Sequence, residues 1–378
     1  MIKVLSVCGA RPNFMKIAPV VDAFERTGRF ENTIVHTGQH YDENMSRLFF
    51  DELGIPKPDV NLEIGSGSHA SQTAGIMKQF EPLCLERRPD WVIVVGDVNS
   101  TIACSLVAVK LGIKVAHIES GLRSFDRTMP EEINRVLTDA ISDALFVTEQ
   151  SGLDNLRREG VAEEKVHFVG NVMIDTLLRH RARARDSRIL TELSLQPKSY
   201  AVLTLHRPSN VDSAVAFAGI LDALDVITAD LPVVFPLHPR TRSNIRRIGL
   251  EDRIRDNKRL MVVDPLGYLD FTRLMDNSAL VLTDSGGMQE ETTILGVPCM
   301  TLRENTERPV TITQGTNRLA GCSKEHIIAA YRAVCENPPP PGLAPDLWDG
   351  KAADRIAACL IDLQDRQLQP VCSIGESV

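Results

Sequence analysis

The chain has 378 residues, of which 43% are hydrophobic and 24% charged, and a formal net charge of −8. At about 150 residues per domain this length predicts two or three globular units with real cores. The acidic balance argues against a nucleic-acid protein, whose domains carry a basic stripe, and no apolar run reaches the roughly 18 residues that span a bilayer.

Taken in chain order, short Val- and Ile-rich runs alternate with amphipathic stretches. Ile2–Val7, Thr33–His36, Trp91–Val95, Val115–Ile118, Leu145–Val147 and Val166–Val169 read as buried strands. Lys16–Glu25, Ala70–Glu86, Thr101–Lys110 and Glu131–Ala140 read as the helices between them. Such alternation implies β-α-β units and a doubly wound parallel sheet. Arg179–Arg188 follows as a solvated helix or linker. A second series then begins with Tyr200–Leu205, Val233–Phe235, Leu260–Val263, Leu280–Thr283 and Cys299–Leu302. Pro338–Pro341 predicts a rigid turn before a last helix over Lys351–Gln364. Residues 1–170 and 171–350 are thus expected to form two Rossmann-like α/β domains facing a cleft, with ligand at the carboxyl ends of both sheets.

The cysteines (Cys8, Cys84, Cys104, Cys299, Cys322, Cys335, Cys359 and Cys372) form no C-x-x-C pair. They predict buried free thiols in a reducing compartment. With only a short apolar run, Met1–Cys8, before the first glycine turn, no secretory leader is expected and the cytoplasm is the predicted location.

The chemistry-bearing residues fall just after strands. Gly9-Ala10-Arg11-Pro12-Asn13, with Lys16 a turn later, is either a glycine turn that brings two cations to a ligand or a tight turn with a solvent arginine. Asp97, Glu119 and Glu131 end or follow strands, where carboxylates can move protons. Each alone is open to reading as a helix cap, but three around one cleft favour a catalytic set. Thr283-Asp284-Ser285-Gly286-Gly287 opens a helix with free N–H groups suited to a diphosphate. Glu291, four residues past Gly287, can face the same way and take ribose hydroxyls. Gly65-Ser66-Gly67-Ser68-His69-Ala70 matches a dinucleotide fingerprint but follows no central strand and reads as a surface loop. His36, His40 and His238 lack a metal-ligand pattern, so neither metal nor redox cofactor is expected. No G-x-S-x-G elbow supports serine hydrolysis.

These residues resemble the non-hydrolysing UDP-N-acetylglucosamine 2-epimerases. The likeness runs from GARPNFMKIAP and HTGQHYD through GDVNST, HIESGLRS and MPEEINR to TLHRPSN, DPLGYLDF, LTDSGGMQEE and RENTERP. It implies a glycosyltransferase-B-like architecture in which the last helix crosses back onto the first domain, and a homodimer. It places Arg11, Lys16, His206, Ser285, Gly286, Gly287, Glu291 and Arg308 around UDP, Phe271 beside the uracil and Arg135 with the substrate-binding groups. Asp97, Glu119 and Glu131, together with His206, match the catalytic set. Asn13 stands where the family has a glutamate, and LHRPSN keeps His206 and Arg207 but alters the loop after them. The implied reaction converts UDP-N-acetylglucosamine to UDP-N-acetylmannosamine by loss of UDP to a 2-acetamidoglucal and re-addition. The alternatives are a 2-epimerase of a UDP-diacetamido uronate, a glycosyltransferase, a hydrolysing epimerase and a non-catalytic sensor. UDP-sugar is the expected partner, with neither nucleic acid nor membrane.

Overall fold

The computed structural model describes residues 1–38, 52–54, 56–237, 239–339 and 343–368, without the side chains of Arg11, Pro239, Arg240, Gln367 and Leu368. His40, His238, Cys372 and part of the Pro338–Pro341 turn lie outside the described residues. The first sheet comprises β1 (Ile2–Cys8), β2 (Phe30–His36), β3 (Val60–Asn61), β4 (Trp91–Val95), β5 (Lys114–Ser120), β6 (Ala144–Val147) and β7 (Val166–Phe168). The second comprises β8 (Ala201–Thr204), β9 (Val233–Pro236), β10 (Leu260–Val263), β11 (Leu280–Thr283), β12 (Cys299–Thr301) and β13 (Asn317–Leu319).

Strand order is β3-β2-β1-β4-β5-β6-β7 in one sheet and β10-β9-β8-β11-β12-β13 in the other, with every pair parallel. Parallel strands covered on both faces carry continuous apolar runs, and all five residues of β4 are buried. In each sheet the order reverses beside the first strand, between β1 and β4 and between β8 and β11. Those are the crevices where open α/β sheets bind ligands.

β3 and β13 are edge strands of two and three residues that the sequence reading did not include. The Arg179–Arg188 run is not simply solvated. It lies largely in the helix Val172–Ala184, where Arg179 pairs with Asp22, Arg181 makes a two-pronged pair with Asp276, and Arg183 donates to the Glu52 carbonyl. Those arginines tie the helix to elements of both halves.

The last helix, Ala352–Leu368, packs against the Arg11–Thr27 helix. Its Ala353, Ile356 and Leu360 join Phe24, Trp91 and Phe146 in one apolar cluster. Arg26–Asp354 and Arg29–Asp365 pairs and the Trp91 indole N–H donating to Gln364 fix its register. Cys8, Cys84, Cys104 and Cys299 are buried free thiols, but Cys335 is exposed and Cys322 and Cys359 are half-buried. Among the described residues no helix is long and apolar enough to cross a membrane.

Candidate active site

At the first switch point, Asn13 explains itself structurally. Its Oδ1 accepts from the backbone N–H of Gly9 (3.2 Å) and Ala10 (2.9 Å), and its Nδ2 donates to the Val95 carbonyl (3.2 Å). It therefore staples the turn after β1 to the end of β4 and starts the Arg11–Thr27 helix. One turn on, Lys16 is buried and its Nζ reaches the Glu119 carboxylate at 2.5 Å.

Glu119 occupies a strained position. The β5–β6 pairing slips between Ile118 and Ser120, and Glu119 itself sits at φ +70° while 2% exposed. A bulged residue in the left-handed region re-aims its side chain at a cost of about 1–3 kcal/mol. Here the carboxylate is turned toward the second half of the molecule, where Arg308 Nη2 donates to its Oε1 at 3.0 Å. Burial alone would raise the Glu119 pKa, but the Lys16 ammonium and the Arg308 guanidinium outweigh it and hold the group below the usual carboxylate range.

Arg308 is buried and spends each nitrogen on a different carboxylate. Nε donates to Glu290 (2.6 Å), Nη1 to Glu307 (2.8 Å) and Nη2 to Glu119. Glu307 also pairs with Arg303 at 2.8 Å, and although burial raises its pKa, Arg308 and Arg303 pull it far down. Glu290 is pushed the other way, by burial first and by the nearby Glu119 charge, against the pull of Arg308. Glu290 carries no signal of its own in the sequence, because its role depends on an arginine supplied by a later loop, and Glu307 shows its role only once Arg303 and Arg308 of its own loop fold around it.

Asp97, at the end of β4, is a quarter exposed and pairs with Arg135 Nε at 3.1 Å. The buried Arg135 also donates Nη1 to Glu132 at 2.9 Å, while Nε, in its ion pair with Asp97, and Nη2 have no hydrogen-bond partner. Glu132 holds the Ser124–Phe125 turn through two backbone N–H groups. His117 braces the Gly96 turn, with Nε2 2.7 Å from the Gly96 carbonyl and Nδ1 2.6 Å from buried Asp139. Glu131 is exposed in the first turn of the Pro130–Ile141 helix, and its charge acts on Arg207.

At the second switch point, Asp284 is the organising group, and the sequence reading passed over it. Fully buried, it accepts from the backbone N–H of His206 and Arg207 and from Asn210 Nδ2. His206 Nδ1 lies 2.9 Å from it while the ring is half exposed. Burial opposes the Asp284 charge, but the His206 bond and charge and the two N–H donors keep it ionised. The pair fixes which imidazole nitrogen faces the cleft.

Ser285 is the N-cap of the Gly286–Leu295 helix, but its hydroxyl makes no cap bond. Gly286 lies directly against Arg308. An added Cβ would stand 2.5 Å from Nη1 and 2.9 Å from Cζ. At Gly287 the nearest group would be the Met173 methyl at 3.6 Å, so that backbone lies open by comparison. Glu291 is buried, accepts from the Tyr268 hydroxyl at 3.1 Å and has a pKa pushed up to about 7 by burial, which that bond only partly offsets. Phe271 is half-buried in the Tyr268–Asp276 helix. The structure therefore brings Lys16, Glu119, Arg308 and Gly286 into one contact network, with Asp97 and Arg135 paired beside it. His36 is buried, tilted against the Phe14 ring. Among the described residues no cluster of three or more His, Cys, Asp or Glu is arranged to hold a metal.

A family model described as UDP-N-acetylglucosamine 2-epimerase matches residues 22–361. The UDP-N-acetylglucosamine 2-epimerase of Methanocaldococcus jannaschii is 45% identical over 369 residues, 95% of this chain and 98% of that protein. The UDP-2,3-diacetamido-2,3-dideoxy-D-glucuronate 2-epimerase of Pseudomonas aeruginosa is 44% identical over 333 residues, 87% and 90% of the two chains. The crystal structure of the M. jannaschii enzyme in complex with UDP-GlcNAc and UDP superposes with a TM-score of 0.90 at 42% identity, covering 96% of this chain and 100% of that one.

Proposed function

The chain belongs to the UDP-N-acetylglucosamine 2-epimerase family, and from that premise we propose that it interconverts UDP-N-acetylglucosamine and UDP-N-acetylmannosamine at C2. The observation that carries the reading is the contact between Glu119 and Arg308. It joins a carboxylate at the first sheet's switch point to a cation lying on the glycine-rich helix start at the second.

The C2 hydrogen of the sugar is not acidic, because no carbonyl adjoins it. Breaking the C1–O bond sends its electron pair to UDP and builds positive character at C1. A carboxylate can then take the C2 proton as the C1–C2 double bond of a 2-acetamidoglucal forms. Return of a proton to the opposite face and re-addition of UDP to C1 inverts the centre. Asp97, Glu119 and Glu131 are the proton-carrying groups in this reading, and His206 joins them from the other side. Lys16, Arg308 and the N–H groups from Ser285 to Gly287 would stabilise the departing diphosphate. Arg11 and the unpartnered Nη2 of Arg135 add donors, Glu291 takes the ribose hydroxyls, and Phe271 lies by the uracil. A diphosphate drawing on Lys16 and Arg308 would weaken their hold on Glu119 and raise its pKa, so leaving-group binding would itself ready the base.

The same reading takes residues 1–170 and 171–350 as the two domains and places the enzyme in the cytoplasm as a homodimer. Exposed Leu85, Ile133 and Leu137 on the helices His69–Arg87 and Pro130–Ile141 supply the apolar surface for pairing. A second reading, action on a UDP-diacetamido uronate, rests on the comparable identity to the Pseudomonas enzyme. Separate incubations with each nucleotide sugar, without acceptor, test the proposal. UDP-N-acetylmannosamine forming from UDP-N-acetylglucosamine supports it. Turnover of the uronate alone favours the second reading, and product only with an added sugar acceptor means a glycosyltransferase.

A further inference from the structure

The helix Tyr268–Asp276 begins without a cap of its own, since its N-cap is Gly267. The missing acceptor arrives from the other half of the molecule. Glu52 Oε2 accepts from the backbone N–H of Tyr268 at 2.6 Å and of Leu269 at 3.3 Å. A carboxylate there satisfies two free donors and meets the positive end of the helix dipole. Gly267 is shaped to this contact, because an added Cβ would collide with the Glu52 carboxylate. Its backbone, at φ −65° and ψ 168°, is ordinary extended chain, so the glycine is there for space and not for conformation.

Two further contacts hold Glu52 in place. Arg183 Nη1 donates to its carbonyl oxygen at 2.7 Å, and the adjoining Leu53 packs in the same apolar cluster as Tyr268 and Leu269. The residue so gripped is Tyr268, whose hydroxyl donates to Glu291 Oε1 at the other end of its side chain. A line of contacts thus runs from the first half, through the start of this helix, to a buried acid of the proposed nucleoside pocket. Phe271 lies on the same helix, one turn on.

We propose that Glu52 is a positioning residue that latches the first half onto the nucleoside-side helix of the second, so that capping this helix and retaining UDP are one event. The inference rests on the epimerase reading, in which UDP must stay bound beside the glycal until it re-adds. Glu52 touches no reacting atom. Its contact exists only when the two halves meet, so by linkage whatever strengthens it strengthens UDP binding.

The test compares the full-length wild type with Glu52→Ala, Glu52→Gln and Gly267→Ala by calorimetric titration with UDP and by steady-state kinetics with UDP-N-acetylglucosamine. Glu52→Ala and Gly267→Ala should each weaken UDP by about tenfold, the value of a lost helix cap. KM should rise in step while kcat changes much less, and more free 2-acetamidoglucal should be released per turnover. Glu52→Gln, which keeps an accepting oxygen without the charge, should fall between. If Glu52→Ala does not fold, Gly267→Ala and Glu52→Gln decide the matter. UDP affinity unchanged in these variants, or a loss confined to kcat, overturns the inference. Wild type whose UDP affinity depends on Glu52 but which does not convert the sugar would instead overturn the epimerase reading alone.

Discussion

The two switch points have the same strand order and opposite equipment. At β1/β4 the crevice is lined by titratable side chains held under tension. Glu119 is bulged to positive φ between two cations, Asp97 is tied to Arg135, and Lys16 is buried. At β8/β11 the crevice presents a glycine-rich helix start covered by Arg308, and Asp284 gathers N–H groups beneath His206. One topology therefore supplies the same location twice, and the side chains divide the labour. In the proposed reaction the first crevice moves the proton and the second holds the leaving group. The Arg308–Glu119 contact is where the two tasks meet.

The comparison breaks most visibly if the acids of the first crevice turn out to hold UDP. Asp97→Asn, Glu119→Gln and Glu131→Gln should each lower kcat, by about 10²–10⁴-fold for a lost proton-transfer group, and lower kcat/KM with it. UDP affinity should survive, and in Glu119→Gln it should rise, because Lys16 and Arg308 lose a competing carboxylate. Collapse of UDP binding in Glu119→Gln would make that residue a strut. Near-normal turnover in all three variants would make them helix caps.

A smaller loss is expected one step removed from the chemistry. Asp284→Asn should cut kcat roughly tenfold or more by releasing the His206 ring from its orientation, with KM changing less. The second crevice is probed by Gly286→Ala, whose methyl group displaces the Arg308 guanidinium. Loss of one charge-assisted bond to the diphosphate predicts about a tenfold drop in UDP affinity, read by titration calorimetry, with kcat at saturating substrate less affected.

The smallest effect is on stability, through buried carboxyls in both halves. Burial raises Glu149 to about 7, offset in part by its Ser151 bond and reinforced by the Glu290 charge, and Glu291 also lies at about 7. A raised carboxyl favours the folded state fully only below its unfolded value, and that contribution is lost as pH rises through about 7. Burial lowers His180 to about 4, which adds stability as pH rises toward the ordinary imidazole range. The carboxyl effect is therefore read by difference: between pH 5.5 and 8 the ligand-free wild type should lose melting temperature relative to Glu149→Gln. Glu119, Asp284 and Glu307 are depressed, so their contribution is present above the usual carboxylate range and is lost only in acid. They do not mask the effect.

Much of this architecture is legible in the sequence because both sheets are parallel and buried, which leaves unbroken Val and Ile runs such as β4. The short edge strands β3 and β13 leave no such trace, unlike the apolar edges β7 and β10. Asn317-Arg318-Leu319 pairs only with β12 and shows no period to read. Residues placed after strands are also legible, among them Lys16, Glu119 and Gly286, whereas Arg308 is pointed to only by the family resemblance; the structure joins the four in one network. What stayed hidden depends on partners far away in the chain. Glu290 matters through Arg308, Asp284 through the N–H groups of His206 and Arg207, and Glu52 through a helix more than two hundred residues on. The register slip that aims Glu119 is likewise a property of the paired strands and not of either one.

The central claim, that the first crevice removes the C2 proton while the second keeps UDP, is tested most directly in heavy water. Enzyme incubated there with UDP-N-acetylglucosamine, followed by proton NMR, should yield UDP-N-acetylmannosamine carrying deuterium at C2. Epimerised product that retains its original C2 hydrogen would contradict the account, since the hydrogen would then have travelled without passing to an exchanging acid.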